Sequence, residues 1–163
     1  MSILLDTNLV SEIARESPHP TVVEWLRLNH RECFLSAVTI GEIVKGLELL
    51  PEGKKRRRLT RELQFLQEDY SDRILPYDEL AAVEWGRLYA TAKKQNRVLC
   101  LEDSLIEAIA LSHQLAVATH NTRDFSKSGR SILGKPELAR LIGITKLRSF
   151  SFAAGRPVDS TTA

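Results

Sequence analysis

The chain has 163 residues, enough for one domain with a proper core and too few for two comfortable ones. Hydrophobic residues make up 43% and charged residues 27%, ordinary for a globular chain, and no apolar stretch is long enough to span a bilayer. Lys and Arg number 23 against 21 Asp and Glu, a net charge of +2 that neither demands nor excludes nucleic acid, because distribution matters more than the sum.

The segment Met1–Asp6 lacks the basic and long apolar regions of a signal peptide, so the cytoplasm is the expected compartment, with no membrane partner. Ile3-Leu4-Leu5 reads as a buried strand stopping at Asp6, and Asn8 to Arg15 has helical character. Ser17-Pro18-His19-Pro20 is turn-like, and Pro20 suits the first turn of a helix through Val22, Val23, Trp25, Leu26 and Leu28. Cys33-Phe34-Leu35 is a second strand. Ile40, Ile43, Val44, Leu47 and Leu50 follow at helical spacing until Pro51-Glu52-Gly53 breaks the pattern. The basic run Lys54-Lys55-Arg56-Arg57-Arg58 opens the next helix, with Leu59, Leu63, Leu66 and Tyr70 on one face.

Arg73-Ile74-Leu75 is a third strand, and Asp78 an N-cap for a helix whose inner stripe is Ala81, Trp85, Leu88 and Ala92. Asp103 to His113 is another helix, and Leu115 to Thr119 a fourth strand. Short apolar strands alternating with amphipathic helices predict a parallel sheet covered by helices on both faces. Cys33 and Cys100 belong to no CxxC or Cys/His cluster, so neither a zinc site nor a disulfide framework is expected, and both should be small buried residues.

Four acids occupy comparable places. Asp6 ends the first strand, Glu42 lies in the first turns of the helix after the second, Asp103 opens a helix, and Asp124 follows the fourth strand. In an open parallel sheet, ligands bind outside the carboxyl ends of the strands. Each acid also has a purely structural reading. Asp6 could cap its helix, Asp103 could complement a helix dipole, and Asp124 could serve a turn. Thr39-Ile40-Gly41-Glu42 is a capping box in which Glu42 would bond back to the Thr39 amide. Gathered on one patch, however, four carboxylates would repel one another unless a hard divalent ion such as Mg2+ or Mn2+ neutralised them. Such a site suits phosphodiester hydrolysis, and no P-loop, GxSxG elbow, HExxH or dinucleotide loop competes with it.

These residues resemble the motifs of a known family. Leu4-Leu5-Asp6-Thr7-Asn8, Leu35 to Glu42, Asp103 to Ala108, and Thr119-His120-Asn121-Thr122-Arg123-Asp124-Phe125 are similar, in order and spacing, to the four motifs of PIN-domain ribonucleases. VapC-type toxins of type II toxin–antitoxin pairs are the nearest likeness. The resemblance implies a three-layer α/β/α sandwich with a mostly parallel central sheet. It further implies that Asp6, Glu42, Asp103 and Asp124 hold Mg2+ or Mn2+ for RNA cleavage, with Asn8, Thr119 and Asn121 orienting them. A small VapB-like antitoxin, a homodimer, a toxin–antitoxin hetero-oligomer, and operator DNA reached only through the antitoxin are implied as partners.

The likeness covers about residues 3–125; a single domain is expected over 1–150, atypical over 126–150, with a flexible tail over 151–163. Ile132-Leu133 would supply a remnant of the last strand, and Pro136 to Ile142 an extra helix. RNA contacts are expected at Lys54, Lys55, Arg56 and Arg123, since phosphates need positive charge. Glu102 should point away from the site, and the two tryptophans should pack in a core or interface. Two other functions compete: an antitoxin-bound binding module with little activity, and an aspartate-dependent phosphatase. The latter lacks a second acid near Asp6, where Asn8 stands.

Overall fold

The computed structural model describes residues 2–119 and 132–133. The chain opens with strand β1 (Ile3–Leu5), helix α1 (Thr7–Ile13) and helix α2 (Pro20–Asn29), with Pro20 at the start of α2 as expected. A single 3-10 turn (His30–Glu32) leads into β2 (Cys33–Ser36), α3 (Ala37–Glu48) and α4 (Lys54–Asp69). Then come β3 (Ile74–Leu75), α5 (Glu79–Lys94), α6 (Leu101–Ser112), β4 (Ala116–Ala118) and β5 (Ile132–Leu133). The predicted Asp78 cap is present, its carboxylate accepting from the Ala81 amide at 2.9 Å.

The strands form one sheet in the order β3-β2-β1-β4-β5, and every described pair is parallel. The expected remnant at Ile132-Leu133 is therefore a true edge strand, paired in register with Val117 and Ala118. From β1 the chain builds outward to β2 and β3, then returns to lay β4 on the other side of β1. The carboxyl ends of β1 and β4 thus flank the point where strand order reverses, the usual crevice of an open parallel sheet.

Alternation of side chains along the strands creates the two outer layers. Ile3, Leu5, Cys33, Leu35 and Ala118 face one way and pack with Leu9, Val10, Val22, Trp25, Leu47, Leu63 and Leu66, which belong to α1 through α4. Leu4 and Val117 face the other way and pack with Ala81 of α5 and with Ile106, Ile109 and Ala110 of α6. The sandwich expected from the sequence is therefore present, with four helices on one face and two on the other among the described residues.

Helix α6 passes through a tight turn, with Gln114 at a φ of 56°, straight into β4. Its C-terminal end meets the amino edge of the sheet, and its first turn is the end remote from that edge. Among the described residues no helix is long and apolar enough to cross a membrane.

One expectation is corrected. Cys33 is buried, but Cys100 is exposed, because it stands at the N-cap position of α6, ahead of that helix's buried face. Burial pushes the Cys33 thiol up to about 12. A thiol reagent at neutral pH should therefore label Cys100 promptly in the native chain and Cys33 only after denaturation. Two fast thiols in the folded protein would contradict this packing.

Candidate active site

The site begins with Asp6, one residue past the end of β1. Its amide donates to the Ala118 carbonyl at 3.0 Å, continuing the ladder, and its carbonyl accepts from the Leu9 and Val10 amides that open α1. Asp6 is thus the N-cap of α1 by position, yet its side chain makes no capping bond. The structural role open to it in the sequence is not the one it plays.

Its carboxylate instead turns across the sheet and is only 1% exposed. The Thr119 hydroxyl, from just beyond β4, donates to Asp6 Oδ2 at 2.6 Å, and Asn8 Nδ2 donates to the same oxygen at 3.2 Å. Asp6 Oδ1 is buried and has no hydrogen-bond partner among the described residues. One oxygen is doubly held and the other is bare. Leaving a buried charged oxygen unsatisfied costs at least about 1–3 kcal/mol, so this arrangement works against stability.

Register explains the meeting. One step beyond the Leu5–Ala118 pair lie Asp6 and Thr119, and beyond the Leu4–Phe34 pair the matching position on β2 is Ser36. These three polar residues are buried at the carboxyl ends of three adjacent strands. Ser36 caps α3, its hydroxyl accepting from the Thr39 amide at 2.9 Å, and Thr39 in turn reaches the Leu5 carbonyl at 3.4 Å. The start of α3 is thereby anchored to the end of β1.

Glu42 sits in the second turn of α3, half-buried. The capping box proposed for it does not form. Ser36, not Thr39, is the N-cap, because β2 runs on to Ser36 and the helix starts earlier. The Glu42 carboxylate instead accepts a short hydrogen bond from the Thr7 hydroxyl, the first residue of α1. Asp6, Thr7 and Asn8 therefore work as one clasp, with Asn8 holding Asp6 and Thr7 reaching Glu42. Thr7 was missed as a site residue, although it stands inside the Asp6-Thr7-Asn8 triplet.

Asp103 is half-buried in the first turn of α6, which begins two residues earlier than expected. Ser104 beside it caps back to the Leu101 carbonyl at 2.7 Å and receives the Trp85 indole N–H at 3.1 Å, so α5 steadies this turn. Glu102 points elsewhere, as expected, to Lys45 at 3.1 Å. That pair joins α3 to α6, three residues after Glu42 and one before Asp103. Its hydrogen bond holds the Lys45 ammonium above its ordinary range.

Among the described residues no three His, Cys, Asp or Glu side chains form a metal site by themselves. Asp124, Asn121 and Arg123 lie outside the described residues, as do the helix proposed at Pro136–Ile142 and the tail. A cleft of about 540 Å3 between α1, α3 and α4 is lined by Thr7 and Glu42 at the site and by Lys55 and Arg58 on α4. Lys54 and Lys55 are exposed, whereas Arg56 is engaged with Glu48 and the Leu50 carbonyl.

A family model for the PIN domain matches residues 3–130. The chain belongs to the PIN-domain family. It is 39% identical over 125 residues to the toxin FitB of Neisseria gonorrhoeae, covering 76% of this chain and 90% of that one. It is 34% identical over 139 residues to the VapC ribonuclease Y4jK of Sinorhizobium fredii, covering 84% and 99%. The solved structure of FitAB bound to an IR36 DNA fragment superposes with a TM-score of 0.75 at 34% identity, over 81% of this chain and 94% of that one.

Because Asp6 is held on one oxygen only, two isosteric changes should behave oppositely. In metal-free buffer, Asp6→Asn removes an under-compensated buried charge and is expected to leave stability unchanged or raise it by about 1 kcal/mol. Thr119→Val removes the shorter of the two hydrogen bonds to the held oxygen, leaving it with Asn8 alone, and should cost about 1–3 kcal/mol. Urea denaturation of both variants reads the order directly.

Proposed function

We propose that this PIN domain is an endoribonuclease toxin that hydrolyses RNA phosphodiester bonds and is neutralised by a small VapB-like antitoxin. The observation that carries the reading is the Asp6 carboxylate, buried where strand order reverses, with one oxygen doubly held and the other without a partner among the described residues. A buried bare carboxylate oxygen is a demand for a cation, and an all-carboxylate donor set matches a hard divalent ion. We assign Mg2+ or Mn2+, held by Asp6, Glu42, Asp103 and Asp124. When bound, such an ion supplies Lewis acidity toward the phosphate and offsets negative charge as the leaving oxygen departs.

The protein's own groups do the positioning. Thr119 and Asn8 fix the rotation of the Asp6 carboxylate, so its bare oxygen has a set direction. Thr7 keeps Glu42 turned toward the clasp. Ser36 and Thr39 fix the axis of α3, and Ser104 with Trp85 fixes the turn that carries Asp103. The names of the relatives, a toxin and a ribonuclease, support the reaction class. The FitAB structure on a DNA fragment supports a partnered assembly that meets DNA, and we assign that contact to the antitoxin and its operator. Homodimerisation and a cytoplasmic location belong to the same reading.

The test uses purified chain free of any partner, incubated with RNA and Mg2+ or Mn2+. Cleavage should require the metal and stop with chelator. Asp6→Asn and Asp103→Asn should each lower the rate by about 100-fold or more, while Thr7→Val should lower it by about 10- to 100-fold. Undiminished cleavage by Asp103→Asn would sink the site assignment. Folded, metal-loaded protein that cleaves no RNA tried would point to the binding-module reading instead.

A further inference from the structure

Helix α4 opens on five consecutive cations, Lys54 to Arg58, with no acid in its first turn and no side-chain cap at Gly53. This is poor local design. Like charges three and four residues apart repel, and cations oppose the positive end of the helix dipole. Packing explains only two of them. Arg56 meets Glu48 and the Leu50 carbonyl, and Arg58 donates to the Ala14 carbonyl at 3.4 Å. Lys54, Lys55 and Arg57, together with Arg61 one turn on, are exposed and make no ion pair with the described residues.

Helical geometry sorts these groups. At 100° per residue, Lys54, Arg57, Arg61 and Phe65 fall within about 80° of arc and run about 16 Å along the axis. Phe65 is 47% exposed, a large aromatic in line with three free cations. Lys54, Arg57 and Arg61 also line a shared hollow beside the helix start. Lys55 projects about 100° around the helix from Lys54, off the stripe and onto the face that lines the cleft shared with Thr7 and Glu42.

We propose that this stripe of α4 is a track for single-stranded RNA, with Lys54, Arg57 and Arg61 on the phosphate backbone, Phe65 under a base, and Lys55 leading the strand into the cleft at Glu42. The proposal rests on the ribonuclease reading and adds to it the path of the substrate. Free cations in a row with an aromatic face in line is the chemistry of single-strand binding: charge tracks the backbone, and stacking accepts any base. An anionic membrane surface would want an extended apolar face beside the cations, and the stripe offers one aromatic residue.

The experiment measures binding of a labelled, unstructured oligouridine to the full chain, by fluorescence anisotropy in chelator across a salt series. Lys54→Gln/Arg57→Gln/Arg61→Gln should bind more weakly and reduce the slope of log affinity against log salt by about 2, near 0.7 per phosphate contact. Phe65→Ala should lower affinity at least about 5-fold with the slope unchanged. All these positions are exposed, and circular dichroism checks that each variant is folded. If the wild-type chain cleaves RNA while the triple variant keeps its affinity and slope, the track is overturned and the nuclease reading stands. A wild-type chain that neither binds nor cleaves RNA overturns both. Preference for duplex DNA or for phosphatidylserine vesicles over oligouridine overturns the assignment to RNA.

Discussion

A buried carboxylate held from two distant parts of the chain is the constraint around which this domain is arranged. Asp6 leaves β1, hands its main chain to α1, and sends its side chain to Thr119, 113 residues away, where β4 ends. Burying a charge is costly unless it is hydrogen-bonded and neutralised, and here the first half of that requirement is met on only one oxygen. The fold tolerates the remainder because the surrounding sheet and helices are well packed. Local destabilisation supported by a rigid scaffold is what a ligand-binding group needs.

The rest of the site hangs on that residue through short links. Thr7 and Asn8, its immediate successors, connect it to Glu42 and to itself. Ser36 and Thr39 tie α3 to the end of β1, so Glu42 and Asp6 share one edge of the sheet. The Lys45–Glu102 pair links α3 to α6, although both partners are exposed and such pairs contribute little stability alone. Its value is geometric, since it joins the helices that carry Glu42 and Asp103.

Much of the fold was legible because its cues are local. Short apolar runs marked the strands, Pro20 and Asp78 marked helix starts, and the Ala81, Trp85, Leu88, Ala92 stripe marked the inner face of α5. Local cues also misled. A capping box at Thr39–Glu42 is a sound local pattern, but β2 runs on to Ser36, which takes the cap and frees Glu42. Cys100 read as a buried residue by type, whereas its place ahead of α6 leaves it exposed. Thr7 carried no signal of its own, because a threonine at a helix start has many ordinary uses.

By itself the sequence determined the α/β class, the order of the elements, and the acids to examine, since periodicity, caps and motif spacing act between near neighbours. Tertiary structure alone decided which strands adjoin, and so which residue meets Asp6. Parallel pairing of β1 with β4 sets Leu5 beside Ala118, and one residue further on Asp6 beside Thr119. That choice belongs to long-range register and burial. No window of sequence contains both partners.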